Sequence, residues 1–255
     1  MAAKVSILMS VYNPNWDYLK QTLNSVSEQS FKEYELVLVN DGVDDDKLNE
    51  LLAGYTFDLV VVKNPVNLGL PGALNEGLQK CTGQYVARID DDDIMEPRRL
   101  EIQFGFMEEH PDIISLSSGY TIIDETGEKI GANNYDNMRN LEKTLLYKGN
   151  CLCHSTLFAR KQALEDVGGY DPKMTYAQDY DLYLRLIKKG KITVMPDALV
   201  RFRSAPQRIS RNKRILSSLF SYYASLKNMN GFEFRIFWGR SIRTLYILFM
   251  VAYKK

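Results

Sequence analysis

The sequence contains few residues of the kinds that cross-link small proteins or bind zinc. Three cysteines in 255 residues, Cys81, Cys151 and Cys153, form no regular framework, which excludes a disulfide-rich secreted domain and indicates a reducing compartment. Cys151, Cys153 and the adjacent His154 suggest zinc ligands, but no second pair of suitable spacing follows them. We therefore interpret the cysteines as buried thiols.

Long apolar runs and glycine-rich phosphate loops are also missing. The N-terminus shows no secretory signal, and the uncharged apolar stretch 244–253 is about half as long as a membrane-spanning helix. Neither a Walker loop nor Gly-x-Gly-x-x-Gly follows the first apolar run, which disfavours ordinary ATPases and dinucleotide enzymes. We predict a cytoplasmic protein.

Acidic residues are nearly absent from the C-terminal part. The chain has 32 Lys+Arg and 32 Asp+Glu, but from Arg201 onward twelve basic residues face one acidic residue, Glu233, which gives +11 there and −11 over residues 1–200. With 45% apolar residues, the chain can bury a full globular core. The sequence thus divides into an acidic body and a basic tail.

Short apolar runs alternate with segments of helical spacing in the first hundred residues. The runs predict strands over 5–11, 34–39, 58–62 and 85–89, and the spacing predicts helices over 18–29, 47–52 and 72–81. Strands that are nearly continuously apolar and separated by helices indicate a parallel sheet covered on both faces.

Polar clusters follow three of these strands, at 12–13, 40–42 and 90–93. In open α/β sheets the ligand crevice lies at the carboxyl ends of the strands, so the clusters are expected to share one crevice. The four consecutive aspartates of the last cluster repel one another unless water, donors or a cation offsets their charge. The run is therefore either a solvated loop or a site for Mg²⁺ or Mn²⁺, which suits a phosphorylated substrate.

Six stretches, in order, carry a family resemblance that covers about residues 4–205. They are VSILMSVYN (5–13), ELVLVNDG (35–42), NLGLPGALNEGL (67–78), VARIDDDDIMEPRRLE (86–101), HSTLFARKQALEDVGGYD (154–171) and AQDYDLYLRL (177–186). The chain resembles the family 2 inverting glycosyltransferases of the GT-A fold, particularly bacterial surface-polysaccharide enzymes of the amylovoran-biosynthesis type.

The resemblance implies an α/β fold with a Rossmann-like, mostly parallel central sheet flanked by helices and a C-terminal helical extension. It implies a catalytic domain over 1–205, with a nucleotide-binding half (1–100) and an acceptor half (101–205), followed by a basic aromatic helical tail (206–255). The expected reaction moves a sugar from a nucleotide-sugar, favoured to be a UDP-sugar, to a hydroxyl of a glycan or lipid-linked glycan. Mn²⁺ or Mg²⁺ would act as Lewis acid on the departing diphosphate.

Two other functions stay open. A sugar nucleotidyltransferase would share the sheet and the cation but would carry a glycine-rich, Arg/Lys-containing loop, which Tyr12-Asn13-Pro14 does not supply. A membrane-associated scaffold would keep the fold without catalysis.

The resemblance also assigns residues to the donor: Ser10, Tyr12, Asn13, Asp41, Asn67, Asp90 and Asp91. The Tyr12 ring would stack on the nucleobase, and Asp41 would accept its imide N–H. The alternatives are simple packing for Tyr12 and a turn cap for Asp41.

Asp92 is the predicted metal ligand, while Asp90 and Asp91 would contact ribose or sugar, or bind the cation through water. Asp93 either joins them or caps the following turn. Arg88, on the preceding strand, is expected to offset the carboxylate charge rather than contact substrate.

Asp179 matches the family's catalytic base, which would take the proton of the acceptor hydroxyl. Its neighbour Gln178 replaces the family's glutamate, and Asp181 is expected to point to a different side of the same helix. Asp179 could instead be the N-cap of that helix. Gln178 and His154 are assigned to the acceptor or the metal, with a structural role open for His154.

The last two features concern a glycine pair and the tail. Gly168-Gly169 either forms a turn that presents the acceptor side or caps a helix. The basic, aromatic segment 212–255 either contacts an anionic membrane or packs on the catalytic domain, where it could pair two copies of the chain. No nucleic-acid motif accompanies it.

Overall fold

The computed structural model describes residues 3–135, 141, 145, 149–204 and 214–228. Its strands are β1 (Val5–Val11), β2 (Tyr34–Asn40), β3 (Asp58–Lys63), β4 (Tyr85–Arg88), β5 (Ile94–Met95), β6 (Ile113–Ile123), β7 (Lys129–Asn133), β8 (Phe158–Arg160) and β9 (Lys191–Arg203). Its α-helices are α1 (Trp16–Ser27), α2 (Asp45–Leu52), α3 (Gly69–Lys80), α4 (Arg99–Glu109), α5 (Lys161–Asp166), α6 (Gln178–Leu186) and α7 (Arg214–Asn228), with a 3-10 turn at His154–Thr156.

The N-terminal part of the sheet is parallel. β3, β2, β1 and β4 are neighbours in that order, and Val5 of β1 lies between Tyr34 and Tyr85. Every residue of β2 is buried, because α3 covers one face of the sheet and α1, α2 and α4 cover the other. The predicted strands and their covering on both faces are confirmed.

The rest of the sheet is mixed. β8 pairs antiparallel with β4 and with β6, β6 runs parallel to β9, and β5 and β7 add antiparallel pairs at β9 and β6. The described chain thus forms one sheet in the order β3-β2-β1-β4-β8-β6-β9-β5, with β7 beside β6. The parallel sheet predicted from the first hundred residues is found among β1, β2, β3 and β4.

Helix ends differ from the predicted ones where side chains cap them. α1 begins at Trp16, two residues earlier than predicted, because the Asn15 side chain accepts hydrogen bonds from the Asp17 and Tyr18 amides at 3.0 and 3.2 Å. α5 ends in the glycine pair: Gly168 and Gly169 have φ of 77° and 65°, and their amides donate to carbonyls of the last turn at 2.8 Å. The helix-cap interpretation of the pair is therefore correct.

The described part of the tail packs on the body. In α7, Ala224 is fully buried, and the Phe220 ring lies 5.5 Å from the Tyr176 ring, edge to face. Residues 214–228 therefore pack on the catalytic domain, which is one of the two predicted roles of the tail. Residues 229–255 lie outside the described residues. The domain boundary at 205/206 stays a prediction. Of the helices in the described ranges, none has the length and apolar character needed to span a bilayer.

Candidate active site

The three polar clusters lie at adjacent strand ends. Val11 of β1 pairs with Asn40 of β2, and the Asp41 amide donates to the Val11 carbonyl at 3.0 Å. On the other side of β1, the Ile89 amide donates to the Leu8 carbonyl at 3.2 Å, which brings the aspartate run to the same edge of the sheet. The three clusters therefore lie at one edge of the sheet, as predicted.

Asp41 is a buried anchor rather than a turn cap. Its side chain is 1% exposed; Oδ1 accepts from the Asn64 side chain at 2.6 Å and from the Leu68 amide at 2.9 Å, and Oδ2 accepts from the Asn67 side chain at 3.0 Å. The turn itself is capped by Asn40, whose Oδ1 accepts from the amides of residues 42 and 43. A carboxylate has about four acceptor positions, so one stays available for a ligand donor.

Apolar side chains stand exposed around this anchor. Tyr12 is 59% exposed, which does not fit the packing interpretation, and Val66 and Leu68 are exposed as well. The Tyr12 ring lies over Gly42, where an added Cβ would be 3.7 Å from ring carbon Cε2. Asn13 is exposed in a left-handed conformation with φ 48°. The half-buried Ser10 lies beside Tyr12 and Asn13 at the end of β1.

Three of the four aspartates converge. One carboxylate oxygen from each of Asp90, Asp92 and Asp93 lies within 4.8 Å of the others; Asp93 is buried, and the other two are half-buried. Asp91 lies outside this group, and burial together with the charges of Asp92 and Asp90 raises its pKa to about 8. Three carboxylate oxygens in this arrangement could hold a divalent cation.

The buried side chains of Arg88 and Ser155 bind the converging aspartates. Arg88 is 2% exposed, forms an ion pair with Asp90, and donates from Nη1 to Ser155 Oγ at 3.0 Å. Burial acts to lower the pKa of Arg88, but the Asp90 charge outweighs it and raises that pKa. Ser155 Oγ lies 3.0 Å from Asp90 Oδ2 and 2.5 Å from Asp93 Oδ2. The burial of Arg88 supports the predicted structural role over contact with substrate.

Arg203 was not predicted. It is fully buried at the end of β9; its amide donates to Asp93 Oδ1 at 2.8 Å, and its Nε donates to the Asp92 carbonyl at 3.0 Å. Asp93 is thus tied to β9 rather than capping the turn that follows it. The guanidinium also lies 4.1 Å from the Tyr18 ring, so Arg203 joins the aspartate run to α1.

Asp179 lies in the first turn of α6. The N-cap of that helix is Ala177, so the N-cap interpretation of Asp179 is wrong. Its Oδ1 accepts from the Tyr180 amide at 2.8 Å and its Oδ2 from the Asn150 side chain at 2.6 Å. Burial raises the pKa of Asp179 despite these bonds and the opposing Arg88 charge. Asn150 binds Asp179 and Ser155 binds Asp90, so the segment 150–155 contacts both Asp179 and the aspartate run.

His154 and Gln178 differ in their surroundings. His154 is buried with its Nε2 2.8 Å from the Tyr170 hydroxyl, and burial and the Arg88 charge lower its pKa well below the ordinary value. It is therefore neutral and already has a protein partner. Gln178 is half-buried at the start of α6, directly before Asp179.

The sequence profile of the family described as Glycosyl transferase family 2 matches residues 6–168. The chain belongs to glycosyltransferase family 2. The amylovoran biosynthesis glycosyltransferase AmsE of Erwinia amylovora is 32% identical over 82% of this chain and 79% of its own length. The O-antigen biosynthesis glycosyltransferase WbnJ of Escherichia coli is 32% identical over 86% of this chain and 84% of its own length.

Solved structures support the GT-A fold of this family 2 glycosyltransferase. S. aureus TarS 1–349 in complex with UDP-GlcNAc matches it with a TM-score of 0.72 at 19% identity, over 93% of this chain and 72% of that one. The same protein in complex with UDP matches with a TM-score of 0.66 at 20% identity, over 91% and 68%. At these identities the likeness establishes the fold.

In this family 2 glycosyltransferase, sequence reasoning missed the residues that support the site. Asn64, Asn150, Ser155, Tyr170 and Arg203 each hold a predicted site residue through a side chain or amide. Ser155 and Tyr170 were inside the matched stretch 154–171, and the other three carry no local signal because their partners lie 23 to 110 positions away. The site thus combines exposed apolar side chains around Asp41, a group of three converging carboxylates and, on α6, a carboxylate with a raised pKa.

Proposed function

We propose that the protein is a metal-dependent inverting glycosyltransferase that moves a sugar from a UDP-sugar to a hydroxyl of a glycan or lipid-linked glycan in bacterial cell-surface polysaccharide synthesis. The observation that carries the proposal is that the Asp41 anchor and the Asp90–Asp92–Asp93 group lie at one sheet edge, and that the segment 150–155 binds both Asp90 and Asp179. The names of AmsE and WbnJ support polysaccharide synthesis, and the TarS complexes support a uridine nucleotide.

The nucleotide would bind at the ends of β1 and β2. The exposed Tyr12 ring would stack on the base, and the open acceptor position of Asp41 would take its imide N–H. Ser10, Asn13 and Asn67 border this surface. Asp90 and Asp91 would contact the ribose or the sugar.

The residues present fit a divalent cation. Carboxylate oxygens are the hard ligands that Mg²⁺ and Mn²⁺ prefer, and Asp92 is the proposed direct ligand. Burial, together with the charges of Asp92 and Asp90, raises the pKa of Asp91, and a bound cation would offset that charge. When bound, the cation would supply Lewis-acid stabilisation of the leaving diphosphate.

Asp179 would take the proton of the acceptor hydroxyl. A base whose pKa is raised by burial binds a proton more readily than an ordinary aspartate, and the Asn150 and Tyr180 bonds fix both of its oxygens. Gln178 and His154 would border the acceptor; the neutral amide of Gln178 adds no second charge that would oppose ionisation of Asp179. His154 acts there as the partner of Tyr170.

We also propose that the tail, residues 212–255, brings the enzyme to the cytoplasmic face of an anionic membrane, where lipid-linked acceptors lie. Four apolar side chains of α7 are exposed on the face opposite Ala224: Leu216, Leu219, Tyr223 and Leu226. Their spacing of three, four and three residues makes a single stripe. Flotation with vesicles that contain or lack phosphatidylserine tests this part, and equal recovery with both kinds of vesicle contradicts it.

The decisive test of the function is release of UDP from a panel of UDP-sugars, with Mn²⁺ and a bacterial lipid extract as the acceptor source. We expect release that depends on one UDP-sugar, on the extract and on Mn²⁺. A sugar nucleotidyltransferase would instead release pyrophosphate from UTP and a sugar phosphate, and a non-catalytic scaffold would release neither product.

A further inference from the structure

The first turn of α6 has no side-chain cap at its N-cap position, and within the turn Asp179 itself accepts from the Tyr180 amide. Ala177, its N-cap, carries a methyl group that cannot accept a hydrogen bond from the turn's amides, and its φ of 57° is in the left-handed region that disfavours an alanine. Asp179 lies two residues further on. Contacts from elsewhere must therefore keep this turn in place.

Asp181 supplies the anchor. Its carboxylate is fully buried, with Arg185 Nε at 2.8 Å from Oδ2 and two α7 groups at Oδ1: Lys227 Nζ and Asn228 Nδ2, both at 2.9 Å. A buried carboxylate is stable only while donors surround it. Two of its three side-chain donors belong to the last residues of α7, beyond the predicted catalytic domain.

Other α7 contacts lie on both sides of Asp179 along the chain. The Phe220 ring meets the Tyr176 ring before it, and Ser225 Oγ lies 3.3 Å from the Tyr180 hydroxyl after it. Lys227 Nζ also binds Asp171 Oδ2 at 2.6 Å, next to Tyr170, the partner of His154. One lysine therefore joins the turn after α5 to the first turn of α6.

We infer that Lys227 and Asn228 are positioning residues for the transfer reaction. Through Asp181 they hold the first turn of α6, and so fix the direction of the Asp179 carboxylate. The inference rests on the proposed role of Asp179 as base. It makes α7 part of the catalytic unit, so the functional boundary of that unit lies beyond residue 205.

The test is Lys227→Met in the full chain, assayed with the UDP-sugar that supports turnover. A small displacement of a positioned group is costly, so we expect kcat to fall by about tenfold or more while the affinity for UDP stays within about twofold. Lys227→Arg keeps the charge and can reach both carboxylates, so it should recover most of the lost kcat. Lys189→Met, an exposed lysine just after α6, removes the same charge and is the matched control.

Hydrogen exchange of the amides of 178–182 gives a readout that needs no turnover. We expect faster exchange there in Lys227→Met than in Lys189→Met, with β1 unchanged. Asn228→Ala is the milder variant if Lys227→Met does not fold. Unchanged kcat and exchange, or a loss of UDP affinity as large as the loss of kcat, would overturn the inference. A wild type without turnover contradicts the proposed function instead, and the exchange experiment still decides whether α7 holds the turn.

Discussion

The two halves of the molecule hold their functional groups in different ways. In the N-terminal half, residues 3–100, the groups follow directly from parallel strands, and Asp41 is surrounded by residues only 23 to 27 positions away. In the C-terminal half, residues 101–204 with α7, Asp179 depends on Asn150, 29 positions away, and Asp181 on side chains 46 and 47 positions away. Strand ends place the donor site, whereas side-chain contacts between distant segments place the candidate base.

The aspartate run lies where the two halves meet. It follows β4, but Ser155 and Arg203, which bind Asp90 and Asp93, come from the C-terminal half. Variants in the N-terminal half should therefore change nucleotide binding, variants around Asp179 should change kcat, and variants of the run should change both. The following experiments test this division, beginning with the largest expected effect.

Asp179→Asn should remove the base while leaving the donor site intact. We expect kcat to fall by about 10²–10⁴, the range that general-base catalysis contributes, with UDP affinity within about twofold. Steady-state kinetics and calorimetric titration with UDP measure the two quantities. Asp197→Asn, an exposed aspartate in the same half, is the control. A loss of UDP binding in Asp179→Asn would show that the halves are not separable, and undiminished turnover would remove the base assignment.

Removal of the cation should lower both kcat and the affinity for UDP. We expect chelation by EDTA to lower turnover by about a hundredfold or more, because the leaving diphosphate then lacks its Lewis acid. Mn²⁺ should restore it, and Asp92→Asn should need more Mn²⁺ for half-maximal activity. Turnover that EDTA leaves unchanged would contradict the metal-dependent mechanism.

Much of the N-terminal half could be predicted from the sequence, for a local reason. β1 and β2 are short apolar runs that both end in polar residues, and strand order alone brings those ends together. The residues at the edge, from Tyr12 to the aspartates, could therefore be named as candidates before the fold was known. Asn64 was missed because nothing in its neighbourhood shows that its amide reaches Asp41.

The C-terminal half was less predictable because its contacts are long-range. Arg203 lies 110 positions from Asp93 in a strand that pairs with β5 and β6, and no periodicity reveals that pairing. The missing cap at Ala177 and its left-handed backbone could not be predicted from an alanine. The matched family pattern identified Asp179, while Asp181 and Lys227 needed the packing of α7.

Asp41→Asn tests whether the N-terminal half controls nucleotide binding. One carboxylate oxygen that accepts hydrogen bonds becomes an NH₂ group facing other donors, so we expect a loss of about 1–3 kcal/mol in the free energy of unfolding. UDP affinity should fall by about tenfold or more, and kcat at saturating donor should change less. Urea unfolding and titration with UDP measure these effects. Asp58→Asn, an exposed aspartate of β3, controls for the loss of charge.

Substitution of Tyr12 should have the smallest of these effects, and it should change UDP affinity without changing stability. Stacking of a base on an aromatic ring contributes about 1–3 kcal/mol, so Tyr12→Ala should raise the Kd for UDP by about fivefold to a hundredfold. Because the ring is 59% exposed, the thermal unfolding midpoint without nucleotide should not move. Tyr12→Phe keeps the stacking face and should bind UDP as the wild type does. If Tyr12→Phe loses as much affinity as Tyr12→Ala, the hydroxyl rather than the ring contacts the nucleotide, and the base would have to lie elsewhere along the exposed surface formed with Val66 and Leu68.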